Sequence, residues 1–468
     1  MVTRSTLSKS CISFISACLA VAAAVGCGEG PAPAPAGTAV ADEGSAPEGI
    51  LHCFGAGNFL CNCGCPGVNS ICESKTAAGE LACYVYCDNS CPPVATKVAI
   101  SAASEAGCLL LSNGTVECWT GGTLEYPSAG GPATFMAPTY ALATVSLPKA
   151  AIDIAAGTGV TATTSNAQGE FVTYEPYDCA VLTDNTVWCW GDNYFGTLGD
   201  GTDTCSVPPS TPKASPPVQV MTSMSPLGSS PLLATRVVAN GNEACAITTA
   251  GGVACWGQDY FGELGDPSVY PNQATSCQTE IAHAVPVALP SGSGSAQAIA
   301  VGNEHACAST ASGVYCWGAN TGNTNLPANV LGTGSSAGFV ITPAAVVGVP
   351  GTTDLVAATS TTCAVYGGQL ECWGVWAPGY IASSSPVVIG PAPTALSSGG
   401  LDICEVAGGT AQCWPEAQAT SLPSSNALPA VLGSATALAN GSFTACGIVS
   451  GHVDCAEMSP TATVHQVY

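Results

Sequence analysis

Residues 244–257 read ACAITTAGGVACWG. If Cys245 and Cys255 face each other on two antiparallel strands, counting inward leaves a three-residue loop, Thr249-Ala250-Gly251. Three-residue hairpin loops need a left-handed residue at the end, which glycine supplies without steric penalty. Strand side chains alternate, so Cys245, Ile247, Val253 and Cys255 share one face, and Ala246, Ala254 and Trp256 the other. Both faces are apolar, so both must be covered, as in sheets stacked face to face.

The same unit recurs. Seven close cysteine pairs run along the chain: Cys108 with Cys118, Cys179 with Cys189, Cys245 with Cys255, Cys307 with Cys316, Cys363 with Cys372, Cys404 with Cys413, and Cys446 with Cys455. The first three are spaced ten apart and the last four nine apart. The other ten-spaced pairs leave Ser112-Asn113-Gly114 and Thr183-Asp184-Asn185, ending in Gly and Asn. The nine-spaced pairs leave two residues: Gly367-Gly368, Gly408-Gly409, Ser450-Gly451 and Ala311-Ser312. The first three suit the primed turns of two-residue hairpins. Ala311-Ser312 does not, and Gly313 beside it predicts a locally shifted turn. Turn chemistry changes together with spacing, which supports one facing-cysteine register throughout. Directly facing strand positions, with Cα atoms about 4.5–5.5 Å apart, are close enough for a disulfide. Each staple would stabilise its hairpin by about 2.5–3 kcal/mol. A thiolate metal site in each repeat is disfavoured, because a facing pair offers two ligands and no His recurs at matching offsets.

Around each pair the pattern extends. Trp119, Trp190, Trp256, Trp317, Trp373 and Trp414 each follow a second cysteine. Residues 190–200, WGDNYFGTLGD, and 256–266, WGQDYFGELGD, are nearly alike. Pro217-Val218, Pro286-Val287 and Pro386-Val387 mark the start of a further strand. The hairpins recur at 71, 66, 62, 56, 41 and 42 residues, a propeller-like period. These segments resemble the regulator-of-chromosome-condensation repeat family, whose repeats carry Gly-x-x-His-x-Cys-Ala, then Gly-x-Val-x-Cys-Trp-Gly, then Asn-x-x-Gly-x-Leu-Gly. Gly302 to Ala308 and Val187 to Gly199 reproduce those pieces. The resemblance covers about residues 95–458 and fades late: Gly-x-Leu-Gly is lost after Trp373, and Ala456 stands where Trp is expected. It implies an all-β, seven-bladed β-propeller of four-stranded blades, in agreement with the count of seven pairs. Ring closure is expected by pairing the segment Lys97–Ala103 with the terminal strands, near Thr463–Tyr468.

The N-terminus reads as an export signal. Arg4 and Lys9 precede an apolar run from Ile12 to Val25 that is too short for a permanent membrane helix, which needs roughly 20 residues. The run ends in Ala24-Val25-Gly26-Cys27, which resembles the lipobox of bacterial lipoproteins, although Ala24 stands where Leu is commonest. That resemblance implies cleavage after residue 26, acylation of Cys27 and anchoring in the lipid bilayer. The alternative is a plain secretory signal with Cys27 incidental. Gly28, in place of the Asp that retains such proteins at the inner membrane, implies the outer membrane. Residues 27–49, rich in Gly, Pro and Ala, form a tether reaching roughly 25 Å as a flexible coil.

Residues 50–92 form a separate module with eight cysteines (Cys53, Cys61, Cys63, Cys65, Cys72, Cys83, Cys87 and Cys91). It is too short for a core of its own, so disulfides must hold it, in one of 105 connectivities. Cys61-x-Cys63-x-Cys65 would suit a metal in a reducing cell, but export favours disulfides. The propeller region is then 93–468. Cys205 and Cys277 sit at similar places in successive repeats and are expected to bond to each other.

Charged residues are only 8% of the chain, against about 25% in an average soluble domain. Removing residues 1–26 leaves five basic residues against 31 acidic ones, near −26, and no Lys or Arg follows Arg236. Phosphate backbones need clustered Lys and Arg, so nucleic acid is excluded as a partner.

The propeller scaffold does not name a function. The resembling family includes a nucleotide-exchange factor for a small nuclear GTPase and secreted β-lactamase inhibitors, and neither carries over by residue. No phosphate-binding Gly-Lys loop, His-Glu-x-x-His or Gly-x-Ser-x-Gly occurs, so no catalytic, metal or cofactor residues are assigned. His305 falls on the family's structural His position. Asp192, Asp200 and Asp203 read as turn residues before calcium ligands. Residues 120–173, 203–235 and 266–297 read as long loops beyond what the repeat needs, where binding sites tend to lie. The reading is an exported, lipid-anchored, non-enzymatic scaffold for a protein or glycan partner. The alternatives are a glycan lyase or hydrolase with a site in the central channel, and a structural envelope spacer.

Overall fold

The structure, a computed structural model, describes residues 93–468 except 103, 122, 128–133, 137–138, 159–160, 166–168, 175, 205–214, 223–228, 271–279, 322–329, 377–380, 401, 416–425 and 459–461. Before residue 93 it describes only short strands. Ile50–Phe54 pairs antiparallel with Ala82–Tyr86, with Cys53 opposite Cys83, and Leu60–Cys61 pairs with Ser70–Ile71. The signal, Cys27 and the tether lie outside the described residues, as do Cys205 and Cys277.

The rest is a seven-bladed β-propeller. Seven four-stranded antiparallel meanders span 95–144, 151–219, 234–286, 296–345, 354–391, 395–427 and 438–466 and are called blades 1 to 7. Blade 3 is typical: Ala234–Asn240, Glu243–Thr248, Val253–Gln258 and Glu280–Pro286 pair in sequence order. First strands line the axis, where they bond to their neighbours: Val237 N–H donates to Asp153 Oδ2 at 2.9 Å, and Asn240 Nδ2 to the Val301 carbonyl at 3.2 Å. The fourth strand is the outer edge, where Pro386 costs no ladder bond that the blade needs.

Every cysteine pair sits in the predicted register. Cys108 lies opposite Cys118, Cys179 opposite Cys189, Cys245 opposite Cys255 and Cys307 opposite Cys316. Cys363 likewise lies opposite Cys372, Cys404 opposite Cys413 and Cys446 opposite Cys455. All seven pairs are disulfides, joining each of these first cysteines to Cys118, Cys189, Cys255, Cys316, Cys372, Cys413 and Cys455 in turn. Their Cα atoms are 4.0–4.1 Å apart, closer than the roughly 4.5–5.5 Å of ordinary facing residues.

The turns explain the two spacings. Gly114, Asn185 and Gly251, which end the three-residue loops, have φ of 81°, 65° and 84°. In the two-residue loops both residues are left-handed: Gly367 (60°) and Gly368 (78°), Gly408 (58°) and Gly409 (80°), Ser450 (53°) and Gly451 (88°). Blade 4 corrects one expectation. Its register is unshifted, with Thr310 opposite Gly313, and the positive φ falls on Gly313 (144°) while Ala311 and Ser312 keep negative φ.

The two faces of each hairpin are covered as alternation requires. Ala244, Ala246, Ala254 and Trp256 pack on Val181, Val187 and Leu198 of blade 2. Cys245, Ile247, Val253 and Cys255 pack on Ile299, Ala306 and Trp317 of blade 4. The tryptophan that follows each second cysteine therefore belongs to the seam with the preceding blade. Trp256 Nε1 donates to the Thr197 carbonyl at 2.8 Å, and Trp317 Nε1 donates to the Glu263 carbonyl. A Cβ on Gly199, Gly265 or Gly332 would lie within 2.9 Å of Trp256, Trp317 or Trp373 respectively. The final Gly of Gly-x-Leu-Gly is thus the space into which the next blade's indole fits.

Ring closure differs from expectation. Val464–Gln466 pairs with His452–Glu457 of its own blade, and Ala95–Ile100 pairs with Gly107–Leu111. Each blade is complete in chain order, so no strand is shared. The seam between blades 7 and 1 instead repeats a bond found elsewhere. The first residue of a first strand donates its N–H to the last turn residue of the preceding blade: Ala151 to Gly114, Ala234 to Asn185 and Ala296 to Gly251, each at 2.8 Å, and Ala95 to Gly451 at 3.1 Å. The Tyr468 hydroxyl also donates to the Pro93 carbonyl.

The supposed long loops are only partly loops. Residues 203–235 contain the outer strand Ser215–Gln219, and 266–297 contain Glu280–Pro286. Residues 120–173 contain Thr139–Thr144 of blade 1 and Ala151–Gly157 of blade 2. They also contain a further four-stranded sheet, ordered Thr161–Ser165, Gly169–Tyr174, Thr123–Pro127, Thr134–Met136.

Candidate functional site

A sequential meander sends its connections to two opposite faces. The hairpin turns and the links to the next blade lie on one, here the turn face. Connections from first to second and from third to fourth strands lie on the other, the loop face. The extra sheet arises from the third-to-fourth connection of blade 1 and the first-to-second connection of blade 2, so both its halves spring from the loop face. The cations of the described residues lie elsewhere. Lys97 and Arg236 sit near the turn end of first strands, Lys97 paired with Asp153, and Lys149 pairs with Asp184 of a hairpin turn at 2.8 Å.

On the loop face, blade 3's connection after Trp256 packs directly on blade 4. A Cβ on Gly262 would lie 2.4 Å from Ile341 of the outer strand Phe339–Ala345. That close approach brings aromatic rings from two blades together. Tyr260 and Phe339 are 46% and 43% exposed, which for rings of this size marks surface rather than core. Tyr260 meets Phe261 edge-on at 4.7 Å between centroids, and Tyr270 meets Phe339 at 5.8 Å. The Tyr270 hydroxyl reaches the Tyr260 carbonyl at 3.5 Å. Blade 2 repeats part of this arrangement, with Tyr194 edge-on to Phe195 and a Cβ on Gly196 2.8 Å from Ala282 of blade 3.

Buried carboxyl groups belong to the same connection. Asp259 accepts the Leu264 N–H through Oδ1 at 3.1 Å, and Glu263 accepts the Phe261 N–H through Oε2. Asp259 Oδ2, Glu263 Oε1 and both oxygens of Glu243 are buried and accept no hydrogen bond from the protein. Burial pushes Asp259 up to about 7 and carries Glu243 and Glu263 well above the usual carboxylate range; their mutual repulsion, with Glu304, adds to it for both glutamates. Tyr270 is raised by burial first and then by the neighbouring Asp259 and Glu263.

This geometry limits the chemistry. Glu243, Asp259 and Glu263 are each about 1% exposed, so no substrate reaches them as acid or base. Their oxygens do not converge on a common ion. Among the described residues the one close triple of His, Cys, Asp or Glu is Cys108, Cys118 and Asp178, and its sulfurs are already joined as a disulfide. The other hairpin cysteines, Cys189, Cys316, Cys372, Cys413 and Cys455 with their partners, are equally committed to disulfides and offer no thiolate. His305 Nε2 lies 2.8 Å from Thr362 Oγ1, a base beside a hydroxyl, but both are buried. Burial lowers His305 to about 4, and its ring fills the space beside Gly302, where a Cβ would lie 2.4 Å away. His305 ties blade 4 to blade 5, as its structural position in the sequence implied. Asp200 Oδ1 accepts the backbone and hydroxyl of Thr202 at 2.9 and 2.7 Å, and Asp192 Oδ2 accepts the Tyr194 N–H. This is turn chemistry.

The sequence marks the long inserts, which are loops only in part, and shows neither the ledge nor the buried acids beside it. The repeated Tyr-Phe pair before Gly-x-Leu-Gly was the available signal. Phe339, 69 residues beyond Tyr270, carried none.

Among the described residues the chain is a disulfide-stapled propeller with no converging set of titratable side chains open to solvent. The fold is of the RCC1-repeat type. The model of the regulator of chromosome condensation (RCC1) repeat matches residues 179–197 and 296–323. No curated protein sequence matches the chain. Human WBSCR16 superposes with a TM-score of 0.51 at 15% identity, covering 74% of this chain and 93% of that one, which shows the fold. Prp20p from Saccharomyces cerevisiae gives 0.47 at 15% identity over 75% and 77%. The ectodomain of the Physcomitrella patens receptor kinase CR4 gives 0.38 at 16% over 79% and 75%.

Proposed function

We propose that the chain is an exported, lipid-anchored envelope protein whose propeller is a non-enzymatic scaffold, and that its loop face binds a protein partner through the ledge of Tyr260, Tyr270 and Phe339. The observation that carries this reading is the exposure of Tyr260 and Phe339 on a rigid inter-blade seam. Large aromatic rings supply binding energy when a partner buries them, and a seam fixed by close backbone packing holds them in place at little entropic cost. Export is supported by the N-terminal apolar run and by the seven disulfides, which suit an oxidising compartment. The lipid anchor rests on the motif at Cys27, and the outer membrane on Gly28 after it.

The test uses the full chain as bait on solubilised envelope fractions, beside a Tyr260→Ala, Phe339→Ala double variant of equal thermal stability. A partner retained by the wild type and lost by the variant is expected. Equal recovery by both would move the binding site elsewhere. Recovery of nothing by either would make the propeller a spacer.

A further inference from the structure

The ledge carries an indication of what it binds. Tyr260 and Phe339 are exposed, and Asp259 and Glu263 of the same connection, with Glu243 nearby, carry buried carboxyl oxygens that accept no hydrogen bond from the protein. A buried carboxyl without a donor holds its proton more tightly, and a positive charge placed nearby favours its ionised form. The surroundings have the same sign. Blades 4–7 and most of blade 3 contain no Lys or Arg, since none follows Arg236, and the described cations sit at the turn end. Glu304 and Asp266, both partly exposed, add further negative charge close to Glu243, Glu263 and Asp259. Ring faces are themselves negative and attract cations within about 6 Å of the centroid. The oxygens do not converge closely enough to chelate a metal ion. Burial pushes these three carboxyls toward their neutral form, so the negative field around the rings comes from the partly exposed Glu304 and Asp266 and from blades that carry no Lys or Arg.

We infer that the ledge of Tyr260, Tyr270 and Phe339 recognises cationic side chains, Lys or Arg, on a basic segment of the partner protein. The inference rests on the proposed binding role of the same ledge and adds the chemical class of its ligand. The long-range field steers the basic segment to the loop face, and the rings select the site within it.

The experiment titrates the full chain with a capped hexalysine peptide and, separately, with a neutral hexasaccharide, at about 0.15 M salt, where charges more than roughly 8 Å apart are screened. Hexalysine is expected to bind, and the Tyr260→Ala, Phe339→Ala double variant to weaken it by about fivefold or more. Tyr260→Phe keeps the ring face and should bind as the wild type does. Unchanged hexalysine affinity in the double alanine variant would overturn the inference, because the peptide would then be following net charge alone. Ring-dependent binding of the hexasaccharide without hexalysine would also overturn it, while leaving the ledge a binding site. Partner capture that depends on the rings, with no hexalysine binding, would separate the two readings in the same way.

Discussion

The carboxylate of Glu105, in blade 1, accepts the backbone N–H of Ser442, in blade 7, at 2.7 Å across the seam that closes the ring. The same carboxylate takes the N–H groups of Phe443 at 3.0 Å and Thr444 at 3.1 Å. Glu105 is held left-handed at φ 58°, an uncommon conformation for a residue with a side chain, and Gly441 leaves the room: a Cβ there would lie 2.3–2.5 Å from the carboxyl atoms. With no shared strand to close the ring, this clamp joins first blade to last. Glu105→Ala would take the acceptor from three donors, that of Thr444 buried and those of Ser442 and Phe443 partly so, and is expected to destabilise the propeller by about 1–3 kcal/mol. A fall in the midpoint of urea unfolding, with early proteolytic cleavage in blade 1 or 7, checks it. An unchanged midpoint would show that the clamp does not hold the seam.

Burial raises Glu105 to about 8 against those three donors, and raises Asp178 and Asp259 to about 7. Glu243 and Glu263 rise further. Each group binds its proton more tightly folded than unfolded, so its stabilisation is complete below about 4.5 and is lost as pH rises through the folded value. His305, lowered to about 4, works the other way, but only below its unfolded value near 6.5. Between about pH 6.5 and 8.5 the carboxyls therefore act unopposed, and the melting temperature should fall as pH rises. Calorimetric scans across that range check this, and a flat or rising melting temperature would refute it. Glu105→Gln removes one titrating group and should make the fall shallower.

The pattern of local residues carried most of the fold. Asn185 or Gly251 at a loop end, and Gly408 beside Gly409, dictate hairpin geometry within one short stretch of chain. The registers of Cys179 with Cys189 and of Cys404 with Cys413 were therefore legible together with their turn types. The seams were legible only as motifs. That Gly265 makes room for Trp317, 52 residues on, depends on how two blades stack, and no local preference encodes it. The acids were illegible for a related reason. Asp259 and Glu263 stand among Gly residues in what reads as a turn, and only the packing of blade 3 on blade 4 buries them. Closure was misjudged because Val464–Gln466 looked like a strand seeking a partner, when blade 7 still lacked its own outer strand.

The seam motif can be tested at Gly265. Its φ of 67° disfavours any side chain, and a Cβ would lie 2.9 Å from Trp317 Nε1, whose hydrogen bond to the Glu263 carbonyl fixes the indole. Gly265→Ala should cost about 1–3 kcal/mol from backbone strain and overpacking together. Trp317→Phe keeps the apolar ring but leaves that carbonyl without its donor, and should cost about 1–2 kcal/mol. If the glycine is needed only for the indole, the double variant should recover part of the loss. Gly292, at φ 80° with nothing within 4 Å, is the control. Gly292→Ala carries the conformational penalty alone and should cost about 1 kcal/mol at most.

Location can be tested at Cys27. If the motif Ala24-Val25-Gly26-Cys27 is read as a lipobox, the wild type should incorporate an alkyne-labelled fatty acid and sediment with membranes. Stable anchoring takes more than one acyl chain or a basic patch beside a single one. The tether after Cys27 has only acidic charges, Glu29, Asp42, Glu43 and Glu48, so no basic patch would hold the chain to anionic lipid instead. Cys27→Ser should therefore abolish labelling. Its residual product should stay uncleaved at the motif, or be released if another site is cut. Unlabelled wild type that is nonetheless exported would leave a plain secretory signal, with Cys27 incidental. The propeller reading would stand either way, because its seven disulfides suit an oxidising compartment and need no anchor.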